Sequence, residues 1–133
     1  MVQEIISQQK PDVIIEAGVA RGGSLCFYST LMASLDLSDC LASDSPAFSR
    51  EKLVRRRVIG VDIEIRPHTL SAIAEHGLSS YITLIEGSSI ATETISAVYD
   101  LVPKGASVLL ILDSNHTHYH VLAELNAYAD LIQ

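Results

Sequence analysis

At 133 residues the chain has room for one domain and no more. Its 48% hydrophobic content against 19% charged residues excludes a disordered segment and can supply a buried core. A net charge of −7 argues against a partner that depends on a basic patch, whether nucleic acid or an anionic membrane surface.

The opening Met1-Val2-Gln3-Glu4 lacks the basic start and apolar run of a signal peptide. Pro11 to Ala17 reads as a buried strand, an apolar run bounded by Pro and Gly. Leu25, Tyr28, Leu31, Met32 and Leu35 recur at helical spacing, so Ser24 to about Leu35 reads as a helix with Ser24 as its N-cap. Cys26 falls inside it as a small core residue, and with Cys40 it shows no metal or redox spacing. Asp36 to Ser49, rich in Ser and Asp and containing Pro46, reads as a surface loop. Arg55-Arg56-Arg57 is the one basic cluster and reads as the solvated approach to a strand, Val58 to Ile63. A short helix follows from about Thr69 to Glu75, set off by Pro67 and ended by Gly77. Tyr81 to Ile85 is a third strand, closed by Glu86-Gly87-Ser88-Ser89. Ile90 to Leu101 is predicted helical, ended by Pro103-Lys104-Gly105. Ser107 to Leu112 is a fourth strand ending at Asp113, and a last helix runs from near Thr117. No apolar stretch has the length of a membrane span. A reducing, cytoplasmic setting is the default expectation.

Strands that are apolar throughout and alternate with helices predict an α/β fold, a parallel sheet covered on both faces. Ligands of such sheets sit beyond the carboxyl ends of the strands. Each strand ends in an acid or has one in its closing turn: Glu16, Asp62, Glu86 and Asp113.

Several residues at those ends carry candidate chemistry. Glu16-Ala17-Gly18-Val19-Ala20-Arg21-Gly22-Gly23-Ser24 places an acid at a strand tip, a glycine-rich turn and a helix start in succession. Gly18, Gly22 and Gly23 open space for a ligand, and Ser24 offers a hydroxyl and an N–H. The alternative is an ordinary strand–turn–helix junction. Asp62 is placed to accept hydrogen bonds from both ribose hydroxyls of a nucleoside, with Glu64 as its competitor. Gly87-Ser88-Ser89 either lines an adenine pocket, with Ser88 at the ligand, or caps the next helix. Asp113 suits Mg²⁺ as an oxygen ligand. His116, three residues on, suits a general base that deprotonates a hydroxyl. A zinc site from His116, His118 and His120 is the rival, although alternate spacing suits a strand better than a helix start.

The first of these runs is similar to the opening motif of S-adenosylmethionine-dependent methyltransferases. More specifically, the chain resembles the cephalosporin hydroxylase family, which also covers rhamnosyl O-methyltransferase-like proteins. Pro11 to Ser24, Val58 to His68, Glu86 to Ser89 and Leu112 to His118 carry the likeness, which leaves out only the Asp36–Lys52 stretch. The resemblance implies a Rossmann-like domain over residues 1–133 that binds S-adenosylmethionine through Glu16, Gly18, Gly22, Gly23, Ser24, Asp62 and Ser88. It implies Mg²⁺ on Asp113, with His116 as the base of an Asp-x-x-His pattern. The acceptor would be a small hydroxylated molecule: a sugar, a glycolipid or a natural product.

Members of that family continue past the position of Gln133, where a further strand carries an acidic pair that completes the metal site. The expectation is therefore an incomplete methyltransferase fold of about four strands, holding the cofactor half. Its sheet would end on an exposed edge, open to a second copy. The competing expectations are a non-catalytic remnant that binds a cofactor or another protein and, last, a nicotinamide-dependent oxidoreductase, whose G-x-G-x-x-G spacing the glycines do not follow.

Overall fold

The computed structural model describes residues 1–43 and 54–132. In chain order it contains α1 (Val2–Gln9), β1 (Val13–Ala17), α2 (Gly23–Ala42), β2 (Arg57–Asp62), α3 (Pro67–Glu75), β3 (Ile82–Glu86), α4 (Thr92–Leu101), β4 (Val108–Leu112) and α5 (His118–Tyr128). Short 3₁₀ turns precede β3 and follow α5. Among the described residues four strands form one parallel sheet in the order β3-β2-β1-β4, flanked by five α-helices. This is the α/β parallel sheet that the alternation of apolar runs predicts, in the Rossmann-like arrangement that the resemblance implies.

Successive strand residues point to opposite faces, and the core divides accordingly. Ile14 and Val58 pack with Ile6, Leu25, Tyr28, Met32 and Ile73 on the side of α1, α2 and α3. Val13, Ile15, Ile59 and Val61 pack with Val98 of α4 and Tyr128 of α5 on the other side. The central strand β1 is buried along its whole length, whereas the edge strands β3 and β4 are only partly covered. Cys26 is half-buried against the first cluster.

The structure adds one element to the sequence reading and corrects two expectations. The segment before β1 is helical: Ile6 is buried, and Lys10, in a left-handed conformation ahead of Pro11, ends the helix. The helix after the glycine-rich turn does not stop at Leu35 but continues to Ala42. Asp36, read as the start of a surface loop, is therefore helical and fully buried. The rest of that expected loop, residues 44–49, lies outside the described residues. Arg56, read as solvated, is buried instead; its Nη1 bonds Asp36 Oδ1 at 2.5 Å and Asp39 Oδ2 at 2.8 Å. A buried Asp is stable in α2 because Arg56, the backbone N–H groups of Arg55 and Arg56, and the Tyr81 hydroxyl meet it there. That tertiary contact overrides the loop-like composition.

Candidate functional site

The carboxyl ends of β1, β2 and β4 open into a cavity of about 380 Å³. Gly18, Ala20, Asp62, Ser88, Asp113 and His120 are among the residues lining it. Its floor is the turn between β1 and α2, wound through three left-handed residues: Gly18 (φ 100°), Ala20 (φ 48°) and Gly22 (φ 78°). For Ala20 that conformation costs on the order of 1 kcal/mol. The Asp62 carboxylate offsets the cost, since its Oδ2 accepts from the N–H of Val19 at 2.8 Å and of Ala20 at 3.0 Å. Oδ1 accepts from the Glu64 N–H at 3.2 Å. An ionised carboxylate has about four acceptor positions, so three are used by the protein and one on Oδ1 stays available.

The glycines serve the turn more than the ligand. A Cβ on Gly18 would overlap the carbonyl oxygen of Asp113, so β1 and the end of β4 approach this closely only because residue 18 lacks a side chain. A Cβ on Gly22 would press on Ile73 of α3. Gly23 has open space around its Cβ position, but neither Gly22 nor Gly23 lines the cavity. Ser24 is not the N-cap of α2; Gly22 takes that position. The Ser24 hydroxyl instead donates to Glu16 Oε2 at 2.6 Å. Glu16 is 3% exposed and lies under the turn rather than in the cavity. Burial pushes its carboxyl above the ordinary range, the hydrogen bond from Ser24 pulls the other way, and the nearby Asp113 charge adds to the rise. Glu86 does not line the cavity; its Oε2 accepts from the Ile65 N–H at 2.9 Å, closing the loop after β2.

Asp113 and Ser88 line the cavity, whereas His116 does not. His116 Nε2 lies 3.3 Å from Asp113 Oδ1, and both side chains are well exposed, 77% and 67%. Among the described residues no group of three or more His, Cys, Asp or Glu side chains is placed to hold a metal ion. Asp113 and His116 are thus a pair and not a cage, and His118 is exposed while His120 turns inward.

The inward histidine leads to residues the sequence did not single out. Glu124 of α5 is completely buried behind the cavity wall. Its Oε1 accepts from the hydroxyls of Ser89 and Ser114, each at 2.5 Å, and lies 3.2 Å from His120 Nε2. Its Oε2 has no hydrogen-bond partner among the described residues. Ser89, Ser114 and His120 all line the cavity, and Tyr128 closes the cluster by donating to the Ser89 carbonyl at 2.6 Å. A signal for Glu124 exists in the sequence: His120, Glu124 and Tyr128 fall at i, i+4 and i+8 on one helix face.

Among the described residues no helix is long and apolar enough to cross a membrane. No curated protein gives a significant match to the chain. The family described as rhamnosyl O-methyltransferase/CmcI, in contrast, matches residues 1–133. The parallel sheet, the acid-and-glycine turn on β1 and a match that runs the length of the sequence agree, and the chain belongs to the rhamnosyl O-methyltransferase/CmcI family.

Proposed function

We propose that the chain binds S-adenosylmethionine in the cavity above β1, β2 and β4 and serves the transfer of its methyl group to a hydroxyl of a small acceptor, a sugar, glycolipid or natural product. The observation that carries this reading is the open acceptor position on Oδ1 of Asp62, a residue that lines the cavity together with Gly18 and Ser88. A nucleoside fits that donor and acceptor set. One ribose hydroxyl donates to Asp62 Oδ1, rather than two to the whole carboxylate, and the base lies toward Ser88. The cavity volume is within the range of small-molecule sites. When bound, the sulfonium supplies an electrophilic methyl group; the protein holds the nucleoside so that the methyl meets an incoming oxygen in line.

His116 is the residue we assign to take the acceptor proton. It stands at the rim, exposed to whatever approaches, and Asp113 at 3.3 Å orients its ring. Magnesium does not fit the described residues as a resident ion, because one carboxylate and one imidazole are all they bring together at this rim. The same observation favours a second reading, in which the chain retains cofactor binding without turnover.

Calorimetric titration with S-adenosylhomocysteine tests the first step. We expect binding by the wild type and a loss of at least about tenfold in Asp62→Ala, about 1.4 kcal/mol and close to the lower end of the range for a hydrogen bond to a charged group. A folded wild type that binds neither S-adenosylhomocysteine nor S-adenosylmethionine would overturn the reading. Binding without methyl transfer to any hydroxylated acceptor would select the second.

A further inference from the structure

The cluster behind the cavity wall has a feature that neither cofactor binding at Asp62 nor proton transfer at His116 uses. The Ser89 hydroxyl has one hydrogen, and at 2.5 Å from Glu124 Oε1 that hydrogen is committed to the carboxylate. Toward His120 Nε2, 3.1 Å away, the Ser89 oxygen can then only accept. Glu124 Oε1, 3.2 Å from the same nitrogen, can also only accept. The hydrogen-bond network thus assigns the imidazole hydrogen to Nε2 and leaves the lone pair of the neutral ring on Nδ1. Among the described residues Nδ1 has no partner within the protein. The ring belongs to the cavity lining and is mostly covered, with 16% of the side chain exposed. Glu124 itself is a buried carboxylate with one oxygen unpaired, a costly arrangement for a group that only fills space.

We propose that His120, held through Ser89 by the buried Glu124 carboxylate, is the group that recognises the exocyclic amine of a purine base in this cavity. The proposal rests on nucleoside binding as set out above. With the ribose at Asp62, the base extends toward the loop after β3, where Ser88 lines the cavity and Ser89 bonds His120. An amine there donates to the Nδ1 lone pair. A carbonyl in the same place sets lone pair against lone pair, so the site selects a 6-amino over a 6-oxo purine. His120 touches the ligand; Glu124 is a positioning residue that acts through the ring.

The test compares S-adenosylhomocysteine with its 6-oxo counterpart, S-inosylhomocysteine, by calorimetry at pH 8. We expect the wild type to prefer the amino ligand by at least about tenfold. His120→Phe should bring the ratio near one. Glu124→Leu should lower the ratio to one or below, because Ser89 is then free to donate to Nε2 and move the ring hydrogen to Nδ1, where it meets a carbonyl better than an amine. Glu124→Gln should restore the preference, since its carbonyl can occupy the Oε1 position. A merely structural Glu124 would weaken both ligands alike. Nitrogen NMR of the ligand-free wild type provides an arm that needs no variant to fold: the proposal expects hydrogen on Nε2 of His120. Hydrogen on Nδ1, or an amino-to-oxo ratio unmoved in His120→Phe, overturns the proposal while leaving nucleoside binding intact. Failure of the wild type to bind either ligand overturns both.

Discussion

Among the described residues two carboxylates, Asp36 and Glu124, are completely buried, and they sit at opposite ends of the sheet. Asp36, at the amino-end side of β2, is met by Arg56 Nη1, the N–H groups of Arg55 and Arg56, and the Tyr81 hydroxyl at 3.1 Å. Glu124, at the carboxyl-end side, has all its partners on Oε1 and none among the described residues on Oε2. Each acid has a tyrosine beside it whose hydroxyl is pushed up to about 12, by burial first and by the carboxylate second. Burial is thus equal and satisfaction is not. A charge that only holds the fold together is surrounded until nothing is left over, as at Asp36. The charge beside the cavity is left with an unused oxygen, and its partners are the side chains that a ligand would touch.

The comparison breaks first at Arg56. Arg56→Met leaves Asp36 buried without its cation, and loss of one partner of a buried pair costs about 3–5 kcal/mol. We expect urea unfolding to show that loss, while whatever fraction remains folded binds S-adenosylhomocysteine as the wild type does. Weakened ligand binding in the folded variant would mean that the two ends of the sheet are coupled.

The isosteric amides sharpen the contrast. Asp36→Asn removes the charge from a site built around it and should cost about 1.5–3 kcal/mol, the range for hydrogen bonds to charged groups. Glu124→Gln keeps a carbonyl for Ser89 and Ser114 and deletes a charge that was half unpaired, so its stability should stay within about 1 kcal/mol of the wild type. Equal losses in the two variants, read from the same urea curves, would remove the distinction between the acids.

The difference between these sites also explains what the sequence discloses. The four strands are legible because each is an apolar run with a breaker at its end, and the acids at Glu16, Asp62 and Asp113 follow from the strand ends. The functions of the glycines are less so. Gly18 has the look of a ligand contact, but its missing side chain first accommodates the Asp113 backbone, a contact between residues far apart in the chain. Asp36 was hidden by local composition, since its partner Arg56 lies 20 residues on and the Ser- and Asp-rich stretch reads as a loop. Glu124 was hidden by an inverted helix pattern. In α5 the residues Tyr119, Leu122 and Leu125 are exposed and the Glu is buried, the reverse of what amphipathic reasoning expects. Only the register of His120, Glu124 and Tyr128 marks the inward face.

A third acid, Glu16, lies between the two cases and gives the smallest effect. It is nearly buried and takes the Ser24 hydroxyl, yet burial outweighs that bond and raises its carboxyl above 4.5. The folded protein then binds a proton that the unfolded chain has already released. Stability from this group is complete below pH 4.5 and is lost as pH rises through the raised folded value. Glu16→Gln cannot lose a proton and keeps an acceptor for Ser24. We therefore expect its melting temperature to match the wild type near pH 4 and to gain on it progressively toward pH 7. The opposite trend would mean that the Ser24 hydroxyl, with the weaker contribution of the Tyr28 hydroxyl beside it, stabilises the anion more than burial opposes it. Glu16 would then belong with Asp36, as an acid whose surroundings were built for its charge.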